Sequence, residues 1–129
     1  MSVAKVQIKI SEGFEKLTKM PDLSSGLNVI DLYASKETVK IGLVEYSTGL
    51  NIKIPSGHVG MIVPRKDIAK TTTLMLAGGI NVLPFNFEGD VNLDYRFIST
   101  GTAGKKYNVG DIIAQLMIIP VSIIEVTNL

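Results

Sequence analysis

The stretch that decides the fold is residues 45–65, which read EYSTGLNIKIPSGHVGMIVPR. Apolar residues recur at every second position on both sides of the central Pro-Ser-Gly. They are Leu50, Ile52 and Ile54 before it, and Val59, Met61 and Val63 after it. A period of two is typical of β-strands that bury one face. This stretch therefore predicts two strands joined by a tight turn.

The same period of two recurs outside this stretch, at residues 6–10 and 91–97, and we expect a final strand at 121–126. Residues 65–70 are the one segment that favours a helical turn. Turn-forming residues interrupt the chain at Ser47-Thr48-Gly49, Gly78-Gly79, Glu88-Gly89-Asp90, Gly101 to Gly104 and Asn108-Val109-Gly110. Short strands between frequent turns predict an all-β sandwich or distorted β-barrel. In the central hairpin, we expect Gly89 to be the turn residue with positive φ.

Composition restricts the classes of function. The 129 residues predict a single domain, 1–129, with a small core. The formal net charge of +1 gives no strong field for nucleic acid or an anionic membrane, so we expect neither as a partner. The chain has no cysteine, which excludes a disulfide framework. Apolar residues form 46% of the sequence, enough that some are expected to be buried between subunits.

Two further segments carry motifs. Residues 76–91 hold a glycine-rich hairpin, and residues 110–116 read Gly-Asp-Ile-Ile-Ala-Gln-Leu. Together with the Pro64-Arg65 that ends the first stretch, their order and spacing resemble the trimeric dUTPase family from about Ser24 to Val126. The resemblance implies a distorted β-barrel, or β-clip, assembled as a homotrimer with active sites between subunits. Because such chains are common in phages and other viruses, it also implies the host cytoplasm or a virion as the location.

The resemblance implies that the catalytic residues are lost. Family enzymes use a hairpin aspartate to activate water and a nearby tyrosine to pack on the deoxyribose. A gapless alignment of residues 77–91 places Pro84 at the aspartate, Phe87 at the tyrosine and Glu88 at an arginine. Proline can neither accept a proton nor orient water, whereas Phe87 can still stack. We therefore expect no catalytic residue in this hairpin.

A rival alignment places the hairpin motif on residues 91–96 instead. It restores Asp94, Tyr95 and Arg96, but it puts Asn92 at the catalytic position and leaves too short a stretch before Gly110. The general base is missing under either alignment.

The resemblance also implies a phosphate site. Arg65 keeps the arginine of the Pro-Arg-Ser motif and could contact phosphate, Lys66 replaces its serine, and Gln115 keeps a phosphate-binding glutamine. Ile112 replaces the arginine of that last motif. The plainer interpretation is that Arg65 and Asp67 form a local ion pair in a solvated turn.

A metal position is less well defined. The family's first motif matches either residues 24–29, which place Asn28 at its aspartate, or residues 31–34, which place Asp31 there. Asp31 is the candidate magnesium contact, and we expect magnesium only when nucleotide is bound. The plainer interpretation is that Asp31 is a surface residue of a strand.

These substitutions favour a non-catalytic trimer that works as a structural or interaction protein, possibly within a phage or virion and with other viral or assembly proteins as partners. The family's glycine-rich closing arm also has no counterpart in residues 121–129. One alternative is a divergent dUTP nucleotidohydrolase that uses Asp31, Asp90 or Asp94 in a rearranged site. Another is a regulator that binds a nucleotide through Arg65 and Gln115.

Overall fold

A computed structural model describes residues 3–16, 20–21, 28–98 and 104–129. The predicted all-β class is confirmed, and the expected helical turn at 65–70 corresponds to one short helix. The elements are β1 (Gln7–Ile10), β2 (Ile30–Tyr33), β3 (Lys36–Lys40), β4 (Leu43–Lys53), β5 (His58–Pro64), α1 (Ile68–Thr71), β6 (Leu74–Leu76), β7 (Asn81–Leu83), β8 (Glu88–Phe97) and β9 (Ile112–Pro120). Within the described residues this helix cannot span a membrane.

The strands form two antiparallel sheets. The five-stranded sheet has the order β1-β4-β8-β6, with β3 also paired to β4, and the four-stranded sheet has the order β2-β9-β5-β7. Among the described strands, none of one sheet pairs with a strand of the other. Closure into a barrel therefore stays a prediction.

Three tyrosines join the two sheets in the core. Tyr46, Tyr95 and Tyr107 meet edge to face, with ring centroids 5.5 to 6.3 Å apart. The Tyr46 hydroxyl donates to the Tyr107 carbonyl oxygen at 2.8 Å, and the Tyr95 hydroxyl donates to the carbonyl oxygen of Ile113 on β9. Burial raises the pKa of both hydroxyls, so they remain donors at any physiological pH.

The turn expected at Ser47-Thr48-Gly49 is wrong, because these residues lie inside β4. The register against β8 shifts between Ser47 and Asn51, and Gly49 has φ 70°. The Thr48 hydroxyl donates to the Val91 carbonyl oxygen at 2.8 Å and so connects the strands where the regular ladder is interrupted. A bulge uses the same residue types as a turn, which is why the sequence did not distinguish them.

The turn expected at Glu88-Gly89-Asp90 is also wrong. Gly89 lies in β8 opposite Ile52 and is not among the glycines with positive φ. The turn lies earlier: the Phe87 amide donates to the Pro84 carbonyl oxygen at 2.9 Å, and Asn86 has φ 66°. Gly89 instead leaves room for an aromatic ring, since a Cβ there would lie 3.3 Å from Cζ of Phe87.

The strand expected at 121–126 is absent from the structure, which is irregular from Val121 to Leu129. Pro120 ends β9, and the Val121 amide donates to the Gly57 carbonyl oxygen at 3.0 Å. Beyond it, Ile123, Ile124 and Val126 are 80, 82 and 90% exposed. An apolar run forms a strand only where another strand can pair with it, and the sequence pattern does not supply that partner.

Gly60 on β5 is a glycine where an added side chain would meet three core residues at once. A Cβ there would lie 3.0 Å from Cδ1 of both Ile54 and Leu116, and 3.2 Å from Cβ of Leu83. We expect Gly60→Ala to lower the free energy of unfolding by about 1–3 kcal/mol, the usual cost of overpacking a core.

Urea unfolding measures this effect, with Gly89→Ala as the matched control. At Gly89 the added Cβ meets only the half-buried ring of Phe87, which can move, so its cost is expected to be smaller. Equal costs for the two variants would contradict the packing described for β5.

Candidate functional site

A cleft of about 550 Å³ lies where β5 ends and the chain turns into α1, next to β9 and β2. The turn and α1 contribute Arg65, Lys66, Asp67 and Lys70 to its wall. The two neighbouring strands contribute Asp31 from β2, and Ile112 and Gln115 from β9. The structure thus brings together four of the five side chains that the sequence assigned to nucleotide and metal, and Phe87 is the one left out.

The Arg65 guanidinium makes three contacts with the protein. One guanidinium nitrogen, Nη1, donates to the Ile112 carbonyl oxygen at 3.1 Å, and Nη2 donates to Oδ2 of Asp67 at 2.8 Å. The guanidinium carbon lies 5.9 Å from the centre of the Tyr107 ring, within the range of a cation–π contact. The local ion pair that the plainer interpretation expected is present, and it lies in the wall of the cleft.

Lys66 and Lys70 are both exposed and both line the cleft. Lys66 precedes α1, and Lys70 lies within it. The backbone amides of Ile68 and Lys70 donate to the carbonyl oxygens of Arg65 and Asp67, at 3.1 and 2.9 Å. This tight turn places both lysines in the wall of the same opening.

Asp31 and Gln115 form the strand side of the cleft. They are register partners on β2 and β9, and Gln115 Nε2 donates to Oδ1 of Asp31 at 3.1 Å. Both side chains are half-buried. Asp31 lies in β2, as the alignment to residues 31–34 requires, whereas residues 24–27 of the other alignment lie outside the described residues.

The charges of the cleft favour an anionic ligand. Its wall carries three cations, Arg65, Lys66 and Lys70, against two carboxylates, Asp31 and Asp67. Throughout the described part of the chain, no three His, Cys, Asp or Glu side chains cluster as a metal site would require. The excess of positive charge thus suits an anionic group such as phosphate, and Asp31 stays the candidate magnesium contact that the sequence predicted.

The hairpin residues lie elsewhere. Pro84 is exposed at the start of the β7–β8 turn, and Phe87 packs over Gly89 rather than in the cleft. Glu88 begins β8, is exposed, and lies opposite Lys53. Of the described residues of one chain, the cleft and the hairpin turn therefore share none.

The rival alignment falls on the middle of β8. Asn92 and Asp94 alternate there with buried core residues and point to solvent, and Tyr95 is fully buried. None of these three side chains lines the cleft.

Sequence reasoning missed Lys70 and Tyr107. Lys70 follows Lys66 by four residues across the expected helical turn, a spacing that puts two side chains on one face. That signal was available in the sequence. Tyr107 follows a segment whose path is not predictable from residue pattern, so its contact with Arg65 had no sequence signal.

Comparison with known proteins gives one family. Residues 16–129 match the family model described as dUTPase. The deoxyuridine 5'-triphosphate nucleotidohydrolase of Hydrogenobaculum sp. is 33% identical over 114 residues, which cover 81% of this chain and 74% of that protein. The enzyme of the same name from Paramecium bursaria Chlorella virus 1 is 30% identical over 99 residues, which cover 74% of this chain and 66% of the viral protein.

Solved structures with the same fold include phage proteins. A variant of the Staphylococcus bacteriophage 80alpha dUTPase superposes with a TM-score of 0.75 at 16% identity, and covers 97% of this chain and 96% of its own. A variant of the dUTPase from phage phi11 of S. aureus, in which a structural Mg(II) ion is coordinated, gives 0.74 at 18% identity with the same coverage.

Proposed function

We propose, on the premise that this chain belongs to the dUTPase family, that it is a non-catalytic member that works as an interaction protein. It binds the phosphates of a nucleotide in the cleft beside α1 and does not hydrolyse them. Its functional form is a homotrimer with the β-clip arrangement of the family.

The observation that carries the proposal is that the cleft has the cations to bind phosphate whereas the hairpin turn has no general base. The cleft gathers Arg65, Lys66, Asp31 and Gln115 around one opening, whereas the β7–β8 turn begins at Pro84, which has no group that accepts a proton. A site of this kind can attract and hold phosphate. Without a base placed at the attacking water, it has no efficient route to hydrolysis.

Magnesium belongs to this proposal only as a companion of the nucleotide. Mg²⁺ is usually bound by one or two carboxylates together with substrate phosphates. Asp31 fits that role, since Gln115 contacts only its Oδ1. The second carboxylate, Asp67, is paired with Arg65. Bound magnesium would neutralise phosphate charge beside Asp31.

The exposed apolar tail supports a homotrimer. Residues 121–129 place Ile123, Ile124 and Val126 in solvent in a single chain. Apolar residues exposed as a contiguous run are typical of surfaces that are buried on association. Association of identical chains around a closed symmetry axis buries such a surface once per subunit.

A viral setting is part of the proposal, in the host cytoplasm or in a virion and with other viral or assembly proteins as partners. The phage neighbours described above share its fold, and 80alpha dUTPase is described as controlling the transfer of virulence genes by a G protein-like mechanism. A dUTPase fold can therefore serve regulation. For this chain the proposal depends on its own cleft.

A divergent hydrolase is the second candidate, favoured by the position of Asp31. Its carboxylate lies in the cleft, where it could hold a magnesium ion that activates water. This candidate predicts turnover that Asp31→Asn abolishes, whereas the proposal predicts none.

Titration calorimetry with a non-hydrolysable dUTP analogue and magnesium tests the binding step, on protein whose trimeric state is checked by sedimentation. We expect one site per chain in a trimer. Arg65→Glu is expected to lower the affinity at least tenfold, because it places a negative charge in the wall of the cleft. A trimer that binds no analogue would leave a purely structural role, and a monomer would overturn the assembly.

A further inference from the structure

The geometry points to Lys66 and Lys70, rather than Arg65, as the residues that hold a polyphosphate in this cleft, with Asp67 as the residue that withholds Arg65 from the ligand. The inference rests on the binding function proposed above. It assigns a role to Lys70, which the sequence analysis missed, and it departs from the expectation that Arg65 contacts phosphate.

Arg65 is already engaged by the protein. Its Nη1 and Nη2 donate to the Ile112 carbonyl oxygen and to Asp67, at 3.1 and 2.8 Å. The remaining oxygen of Asp67, Oδ1, is buried and accepts no hydrogen bond from any described residue. The charge of Asp67 is therefore balanced by Arg65 within 4 Å and by no other described cation. A phosphate that approaches Arg65 must compete with this carboxylate.

The two lysines of the cleft, unlike Arg65, are not paired with a carboxylate of a described residue. Lys66 and Lys70 are exposed, and over the described ranges of the chain neither ammonium group has a carboxylate within 4 Å. Both line the same cleft. An ammonium group on a flexible stem is a mobile point charge, and it can follow phosphate oxygens without the fixed geometry that a guanidinium needs.

The charge balance of the cleft favours one class of anionic ligand. Arg65 and Asp67 neutralise each other. The charges that remain in the wall are the two positive charges of Lys66 and Lys70 and the negative charge of Asp31. Two separate cations are matched better by a di- or triphosphate, whose charges are spread over neighbouring groups, than by a single phosphate. The side of the cleft next to α1 therefore takes a polyphosphate.

The test is calorimetry of the full-length protein with inorganic pyrophosphate, which has no base or sugar to bind elsewhere. We expect Lys70→Gln to lower the affinity about tenfold, the loss of one charge-assisted contact. Asp67→Asn is expected to raise it roughly three- to tenfold, because it releases Arg65 for the ligand. The matched control is Lys40→Gln, which removes an exposed lysine from β3 in the other sheet and is expected to leave the affinity unchanged.

The possible outcomes distinguish a failure of this inference from a failure of the proposed binding function. If the wild type binds neither pyrophosphate nor the dUTP analogue, the proposed binding function fails. If the wild type binds pyrophosphate and Lys70→Gln binds it equally well, or if Asp67→Asn weakens binding, only the inference is overturned. Because Asp67 borders α1, thermal unfolding of each variant checks the fold, and the opposite signs expected for Lys70 and Asp67 distinguish ligand contact from general damage.

Discussion

Purified protein supplied with dUTP and magnesium is expected to release dUMP and pyrophosphate at least about 10²-fold more slowly than an active dUTPase. A positioned general base contributes about 10²–10⁴-fold, and one fixed donor to a developing charge contributes about 10²–10³-fold. Here Pro84 stands at the expected base position, and Lys66 replaces the serine of the phosphate motif. The two losses need not multiply, yet each lowers the rate.

Another carboxylate near the hairpin does not replace the missing base. Asp90 accepts hydrogen bonds from the Ser11 hydroxyl at 2.7 Å and from Asn51 at 3.1 Å. These two bonds, the one from Ser11 first, lower the pKa of the Asp90 carboxyl, and a carboxylate of lowered pKa is a weaker proton acceptor. Asp90 also does not line the cleft of its own chain.

A pyrophosphate-release assay measures the rate, and its control must separate intrinsic activity from a contaminating host enzyme. Arg65→Ala and Asp31→Asn serve this purpose, because a contaminant would be unaffected by either change. Turnover at a family-like rate that either substitution abolishes would contradict a non-catalytic role.

The largest effect on stability is expected at Tyr46. Its side chain is fully buried, it packs against Tyr95 at 5.5 Å, and its hydroxyl donates to the Tyr107 carbonyl oxygen. We expect Tyr46→Ala to lower the free energy of unfolding by about 3–5 kcal/mol, the range for removing a buried aromatic ring. Tyr46→Phe keeps the ring and leaves one buried carbonyl oxygen without its donor, so it should cost about 1–3 kcal/mol.

Urea unfolding at neutral pH gives both values, and Tyr33→Phe is the comparison at a half-buried tyrosine of β2. Equal stability of wild type and Tyr46→Phe would show that the bond to Tyr107 contributes nothing. A loss below about 1 kcal/mol for Tyr46→Ala would contradict the tyrosine cluster as the connection between the sheets.

The fold class was predictable because the alternation of apolar and polar residues in a strand is visible within a few consecutive residues. Strands β4, β5 and β8 lie where the residues alternate with a period of two, and the turns expected at Gly57 and Gly78 are present. The buried face of β5 was harder to assign. Val59, Met61 and Val63 alternate with Gly60 and Ile62, and the buried members are Gly60 and Ile62. When both faces of a strand are apolar or small, the period alone does not say which one meets the core.

The errors in the predicted turns and strands arose where one residue pattern is compatible with two different structures. Gly89 fits a turn by composition, but its lack of a side chain makes room for the Phe87 ring inside a strand. Thr48 and Gly49 likewise form a bulge rather than a turn. The tail at 121–126 has the composition of a strand, and whether a strand forms depends on a partner that is not adjacent in sequence.

The candidate site was predicted only in part from the sequence. Motif resemblance identified Arg65, Lys66, Gln115 and Asp31, and the structure places all four in one cleft. The plainer interpretation of the residues predicted the ion pair between Arg65 and Asp67, which is present, but it did not place that pair in the wall of the cleft. Phe87 was grouped with these residues by resemblance, but in the single chain it packs over Gly89 and does not line the cleft.

The most direct test of the central claim is ³¹P NMR of dUTP and magnesium mixed with the purified protein. If the cleft binds the phosphates and the hairpin lacks a base, the three phosphate resonances shift or broaden on addition of protein and remain those of a triphosphate for hours. The Lys70→Gln variant should reduce the shift without changing the species observed. Resonances of dUMP and pyrophosphate that appear with wild type and not with Asp31→Asn would contradict the account.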